Sequence, residues 1–194
     1  MRNPHSSKYI STLFLVFALF SCKNEEVGKD KLQYFDLSGF INEEAKLLSA
    51  KILQVDKTVF LNGKEEKKII TISNWQNELN AFKEADINKK SFLGKYAVDS
   101  SSEGGNLLIR YSALEKSFRT REISVQYDAE KKPVKVRATI STDNVLYSSD
   151  QQLSYETGEG YWIAGKQVIR FLEPDSFNVN VRFDKVSNFV KPSS

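Results

Sequence analysis

From about residue 92 to residue 183, apolar and polar positions alternate along the chain with a period of two. Ile123, Val125 and Tyr127 are apolar where Glu122, Ser124 and Gln126 are polar, and Val134, Val136, Ala138 and Ile140 alternate with Lys135, Arg137 and Thr139. Such a period marks strands with one buried face. Residues opposed across an antiparallel pair share a face, so registers follow from the pattern. Val125 is expected opposite Val136, Ile123 opposite Ala138 and Tyr127 opposite Val134, with 128–133 as a loop. Tyr155 is expected opposite Tyr161, and Leu153 opposite Ile163. Phe171 is expected opposite Phe177 across a turn holding Glu173-Pro174-Asp175-Ser176, where proline suits a turn position. Phe177, Val179, Val181 and Phe183 alternate with Asn178, Asn180, Arg182 and Asp184. Two earlier strands, 92–98 and 107–113, flank a serine- and glycine-rich loop at 99–105.

Upstream the period changes. Leu37, Ile41, Leu48 and Ile52 are spaced to share one face of a helix over 37–51, with Phe40 and Leu47 beside it, Asp36 as N-cap, and Glu43, Glu44, Lys46 and Lys51 on the wet side. A hairpin follows: strand 57–61, the turn dipeptide Asn62-Gly63, a solvated tip at 64–67 and a return at 68–72. Trp75, Leu79 and Phe82 form an apolar stripe on a second helix over 75–86, with Ser73 and Gln76 as a capping box or Asn74 as the alternative cap. About nine antiparallel strands with one apolar face need a cover, and the two helices supply it. The expected fold class is therefore α+β, a curved antiparallel meander sheet, half-open and barrel-like, with two amphipathic helices near the N-terminus.

The first residues carry a different signal. Arg2 and Lys8 precede a dozen mostly apolar residues at 9–20, too few to span a bilayer, which takes about 20, and suited to a cleaved export signal. Leu19, Phe20 and Ser21 before Cys22 resemble the lipobox of bacterial lipoproteins, which implies that Cys22 is lipidated. The expected organisation is a signal at 1–21, a lipidated cysteine and flexible tether at 22–34, one α+β domain at 35–185 and a tail at 186–194. A dozen flexible residues would span roughly 20 Å. A transmembrane β-barrel also alternates along its strands, but usually has neither a lipid anchor nor two helices.

Lys23-Asn24-Glu25-Glu26 resembles the acidic export signal of surface lipoproteins in Bacteroidota-type bacteria. The stretches Phe35-Asp36-Leu37, Ala85-Asp86-Ile87-Asn88-Lys89, Gly94-Lys95-Tyr96 and 160–167 (GYWIAGKQ) are similar to lipobox-bearing envelope lipoproteins of those bacteria, a group that brings no assigned activity. The order of elements also resembles the half-barrel-plus-helix fold of lipoprotein carriers and receptors. These resemblances imply an outer-membrane, lipid-anchored location, surface-exposed rather than periplasm-facing.

Composition narrows the chemistry. Of 194 residues, 28 are basic and 25 acidic, and loss of Arg2 and Lys8 with the signal leaves 26 basic residues. That balance gives no footprint for nucleic acid. The single histidine, His5, lies in the signal, and the single cysteine is Cys22. Histidine-assisted nucleophilic catalysis, Cys/His zinc sites and intrachain disulfides are therefore excluded from the processed chain. No cofactor, metal or catalytic residue is expected.

Candidate contacts come from register. Ser149, Gln151 and Gln167 fall on the apolar-facing parity, where buried amides need partners and could line a cavity. A β-bulge at 148–150 that turns Gln151 outward is the expected alternative. Trp162 falls on the polar face, where it packs under a loop, stacks on a sugar or rests at a membrane. Loop 100–105 could form a lid or, through Asp99 and Glu103, hold calcium, though a plain connection is expected. Lys131, Lys132, Lys135 and Arg137 make a local basic patch. The expected function is non-enzymatic, binding a hydrophobic ligand or an envelope partner, with a structural or accessory subunit as the alternative. A carboxylate-dependent hydrolase using acids such as Asp143, Asp150, Glu156 or Glu159 ranks last.

Overall fold

In the computed structural model, residues 32–51 and 53–183 are described. The signal, Cys22 with its lipobox, the tether to residue 31, Ile52 and the C-terminal tail lie outside them. Among the described residues, nine strands form one antiparallel sheet. They are β1 (Gln54–Leu61), β2 (Lys64–Thr71), β3 (Tyr96–Glu103), β4 (Asn106–Ala113), β5 (Thr120–Tyr127), β6 (Pro133–Asp143), β7 (Tyr147–Glu156), β8 (Gly160–Ile169) and β9 (Asp175–Phe183). Their order is β2-β1-β9-β8-β7-β6-β5-β4-β3, so β3 to β9 run as a meander and β1 pairs with β9. The helices are α1 (Leu37–Ser49), α2 (Trp75–Glu78) and α3 (Asn80–Glu84), and a 3-10 turn spans Lys90–Phe92. The curved, open α+β architecture expected from the periodicity is the one observed.

Four of the six registers read from the alternation hold. Val125 faces Val136 and Ile123 faces Ala138, while Tyr155 faces Tyr161 and Leu153 faces Ile163. Other strand expectations fail, and the strand expected at 92–98 begins only at Tyr96, after the 3-10 turn. Tyr127 meets Pro133 rather than Val134 after an irregularity at Gln126. Phe177 faces Gly165, six residues before the expected Phe171. The parity is preserved, and the ring of Phe177 lies over the bare glycine. Residues 99–103 extend β3, leaving only Gly104-Gly105 as the turn, so the serine-rich stretch is no lid. Finally, 64–67 belong to β2 and pair with 58–61, because Asn62 and Gly63 both take positive φ and close a two-residue turn.

The helices fill the apolar side of the sheet. Asp36 caps α1 by accepting from Gly39 N–H at 2.8 Å. Leu37, Ile41, Ala45 and Leu48 are buried, whereas Leu47 points to solvent. The second helix breaks at Leu79 into α2 and α3, and Asn74, not Ser73, caps it by accepting from Asn77 N–H at 3.0 Å. Trp75, Leu79 and Phe82 still bury together, so packing rather than helix length decides their placement. Trp75 meets Phe183 edge-on at 5.6 Å, and Phe82 sits between Tyr155 and Tyr161 at 6.0 and 6.1 Å. Tyr34, which its charged surroundings would assign to the tether, is a core residue: its hydroxyl accepts from Tyr96 N–H at 3.2 Å and its ring packs on Tyr96 and Tyr111.

Candidate functional site

The polar face of the sheet carries two hollows. In β6 to β9 and β1, residues in direct register run across this face as Thr139, Gln152, Ala164, Asn178 and Phe60. Ala164 presents one methyl between the longer Gln152 and Asn178, and the neighbouring Gly165 presents none. This dip, walled by Phe60, forms a hollow of about 660 Å³ that also takes in Asp150 and Ser176. The adjoining row runs Ser154, Trp162 and Asn180. Trp162 is half-buried beside a smaller hollow of about 160 Å³, bordered by Lys135, Glu156 and Arg182. Lys135 Nζ lies 2.6 Å from Glu156 Oε2, so one cation of the expected basic patch is neutralised. Lys131 and Lys132 stand apart on the β5–β6 turn.

The four contact residues that sequence register singles out do not form one site. Trp162 occupies the polar face as its register requires. Ser149, Gln151 and Gln167 share the opposite face, with Ser149 directly across from Gln167 and Gln151 across from Gly165. The pairing of β7 with both neighbours is uninterrupted through 148–150, so the expected bulge is absent and Gln151 is not turned outward. Its amide donates to Ser149 Oγ at 3.3 Å, and its Cγ lies close to where a Cβ on Gly165 would stand. Gln151 thus finds a partner in Ser149 beside the Phe177 ring, toward the end of the sheet away from the helices. Asp99 lies within β3 opposite Arg110, and no cluster of three or more His, Cys, Asp or Glu side chains converges among the described residues.

Sequence reasoning misses two carboxylates in the helix–sheet seam. Glu44, expected on the wet side of α1, accepts from the Tyr155 hydroxyl at 2.6 Å. Glu78 of α2 accepts from the Tyr161 hydroxyl and pairs with Lys57 Nζ at 2.6 Å. Burial, then the hydrogen bond and charge of each glutamate, drives both tyrosine pKa values far upward. Each carboxylate is thus engaged in fastening a helix to the sheet. The spacing of Tyr155 and Tyr161, one at each side of a hairpin turn, is the sequence signal that could have asked for such partners.

A second fastening involves the 85–89 segment. Asp86 Oδ2 accepts from Ser38 N–H at 2.9 Å and its Oδ1 from Asn88 N–H at 2.7 Å. Asn88 in turn accepts from Tyr34 N–H at 3.1 Å and donates to Phe35 O at 2.8 Å. A buried carboxylate at the start of α1 also complements the helix dipole. Comparison with protein-family models, curated proteins and solved structures finds no match to this chain.

Proposed function

We propose that this chain is a non-enzymatic, lipid-anchored lipoprotein of the bacterial outer membrane whose polar sheet face binds an envelope partner. One observation carries the choice of partner over a carried hydrophobic ligand. The apolar face that would hold such a ligand is occupied by the protein's own helices, with Trp75 at 1% exposure and Leu37, Ile41, Leu79 and Phe82 at 0%. The two hollows beside Trp162 and Phe60 open on the other face. An aromatic ring among amides, hydroxyls and one ion pair suits a polar surface held by a rigid sheet. The anchor rests on the lipobox resemblance and the single cysteine, and surface exposure on the acidic run after Cys22. The accessory-subunit reading is the same proposal with a permanent partner.

Photo-crosslinking from position 162 in intact cells tests the binding face. A discrete adduct that disappears with Ala164→Arg, which fills the larger hollow with a charged chain, supports it. Stoichiometric lipid in native mass spectra of the purified protein, without such an adduct, returns the reading to ligand carriage. A Cys22→Ala chain should lose membrane association and mature differently, and normal processing and anchoring in that variant would remove the lipoprotein reading.

A further inference from the structure

Apolar exposure on this molecule is concentrated at one end of the sheet. Of the fifteen large apolar side chains exposed among the described residues, six lie on or beside two neighbouring turns: Val145 and Leu146 after β6, and Val168, Ile169, Phe171 and Leu172 at the end of β8. Phe171 is 90% exposed and Val145 79%. Burying such groups is favourable by about 25 cal/mol per Å² of apolar surface, so clustered exposure marks a surface with an occupant.

The two turns form one built rim. Arg170 N–H donates to Leu146 O at 2.9 Å, which joins them. Asn144 Oδ1 accepts from both Leu146 and Tyr147 N–H at 3.0 Å, which holds Val145 and Leu146 outward. Phe171 takes φ 72, a conformation that bulky residues rarely adopt. The Arg170 guanidinium lies 5.2 Å from its ring centroid. A cation beside an apolar tip matches the phosphate-to-acyl boundary of a bilayer.

Strand directions show what faces this rim. The chain enters the domain at the same end, where Gln33 accepts from Gly94 N–H at 2.8 Å and Tyr34 contacts Tyr96, the first residue of β3. Exposed Leu93 and Leu114 lie beside that entrance, and Leu61 is exposed where β1 ends. At the opposite end the turns at 104–105, 128–132 and 157–159 carry glycine, charged and small residues. Ten peptide links join Cys22 to Leu32 and reach at most about 35 Å. Five strand steps separate β3 from β8, about 24 Å along the sheet.

We infer that the Val145, Leu146, Phe171 and Leu172 rim docks on the bilayer surface that holds the anchor, standing the sheet end-on to the membrane. This deepens the lipid-anchor reading and rests on it. Docking leaves the hollows beside Trp162 and Phe60 facing sideways, free for a partner in the same membrane.

The test uses the full chain with a fluorescent, environment-sensitive probe on Phe171→Cys or Val145→Cys, and on Ala129→Cys at the far end. Each protein is reconstituted into phosphatidylethanolamine and phosphatidylglycerol vesicles with and without brominated acyl chains, and intact mass reports separately whether Cys22 is acylated. The expected result is a blue shift and loss of emission to the brominated chains at 171 and 145, with neither at 129. Probes at 171 and 145 that stay solvent-like on an acylated, vesicle-bound protein overturn the rim and leave the anchor standing. A blue shift that brominated lipid does not quench means that a second copy or another protein covers the rim, and overturns it too. An unacylated Cys22 removes the anchor, and the same probes, read in a Cys22→Ala chain after vesicle addition, then decide the rim alone.

Discussion

Asp86 shows how much one buried side chain can organise here. Its carboxylate accepts from Ser38 and Asn88 N–H groups, and Asn88 holds Tyr34 and Phe35. Removing it leaves donors at the start of α1 without a partner in a buried site, which costs more than the hydrogen bonds are worth. Asp86→Ala should lower unfolding stability by about 2–3 kcal/mol in chemical denaturation, and Asp86→Asn by less, because one amide oxygen still accepts. Gly160 is constrained by backbone instead. It takes φ 145, and a Cβ there would collide with Val181 O. Gly160→Ala must therefore open the β8–β9 ladder, at a cost of roughly 1–3 kcal/mol. A variant as stable as the parent would mean that this strand start is looser than the geometry states. Neither residue role is readable from the sequence, because Gly160 depends on Val181, 21 positions away, and Asp86 on Ser38, 48 positions away.

At the scale of elements, legibility follows burial. Where one face of a strand is covered, a one-residue slip exposes a whole apolar row, and the β7–β8 register and the middle of the β5–β6 register are legible in the alternation alone. β2 and β3 are edge strands with mostly polar exposed residues. Nothing in the side chains of 64–67 or 99–103 demands a strand, and backbone pairing with β1 and β4 makes them part of one. Alternation puts the β8–β9 hairpin on the correct face but six residues late, because two phenylalanines look like natural partners while the real one is a glycine. Parity puts Trp162 on its face. The larger hollow depends on Ala164 being small between longer neighbours, which no motif announces. The α2–α3 pair is legible as an apolar stripe though not as a broken helix. Phe82→Ala should remove the contact that locks α3 between Tyr155 and Tyr161, with a loss of about 3–5 kcal/mol in denaturant titrations. A loss below about 1 kcal/mol, the range of a surface change, would mean that the helices do not seal the apolar face.

The whole molecule stores its helix–sheet seam in tyrosines, and alkaline pH reads that seam directly. Burial is the main cause that pushes Tyr96 and Tyr127 up to about 12 from 10.0, and it raises Tyr155 and Tyr161 further, reinforced by Glu44 and Glu78. In the unfolded chain these phenols lose their protons near pH 10.0. Between that pH and about 12 the folded chain therefore binds more protons than the unfolded one, and stability falls as pH rises. Below pH 10.0 the contribution of these tyrosines is complete. Base should accordingly unfold the domain cooperatively above pH 10, with the phenolate absorbance of the buried tyrosines appearing in the same step as the loss of near-ultraviolet circular dichroism. Tyr155→Phe keeps the ring contacts with Phe40 and Phe82 but removes the phenol that holds Glu44. It should shift alkaline unfolding to higher pH while leaving Glu44 without that donor at neutral pH. If all the tyrosines instead titrate smoothly near pH 10 with the circular dichroism unchanged, the rings do not lie sealed beneath the helices, and the case for a filled core with an outward-facing binding surface goes with them.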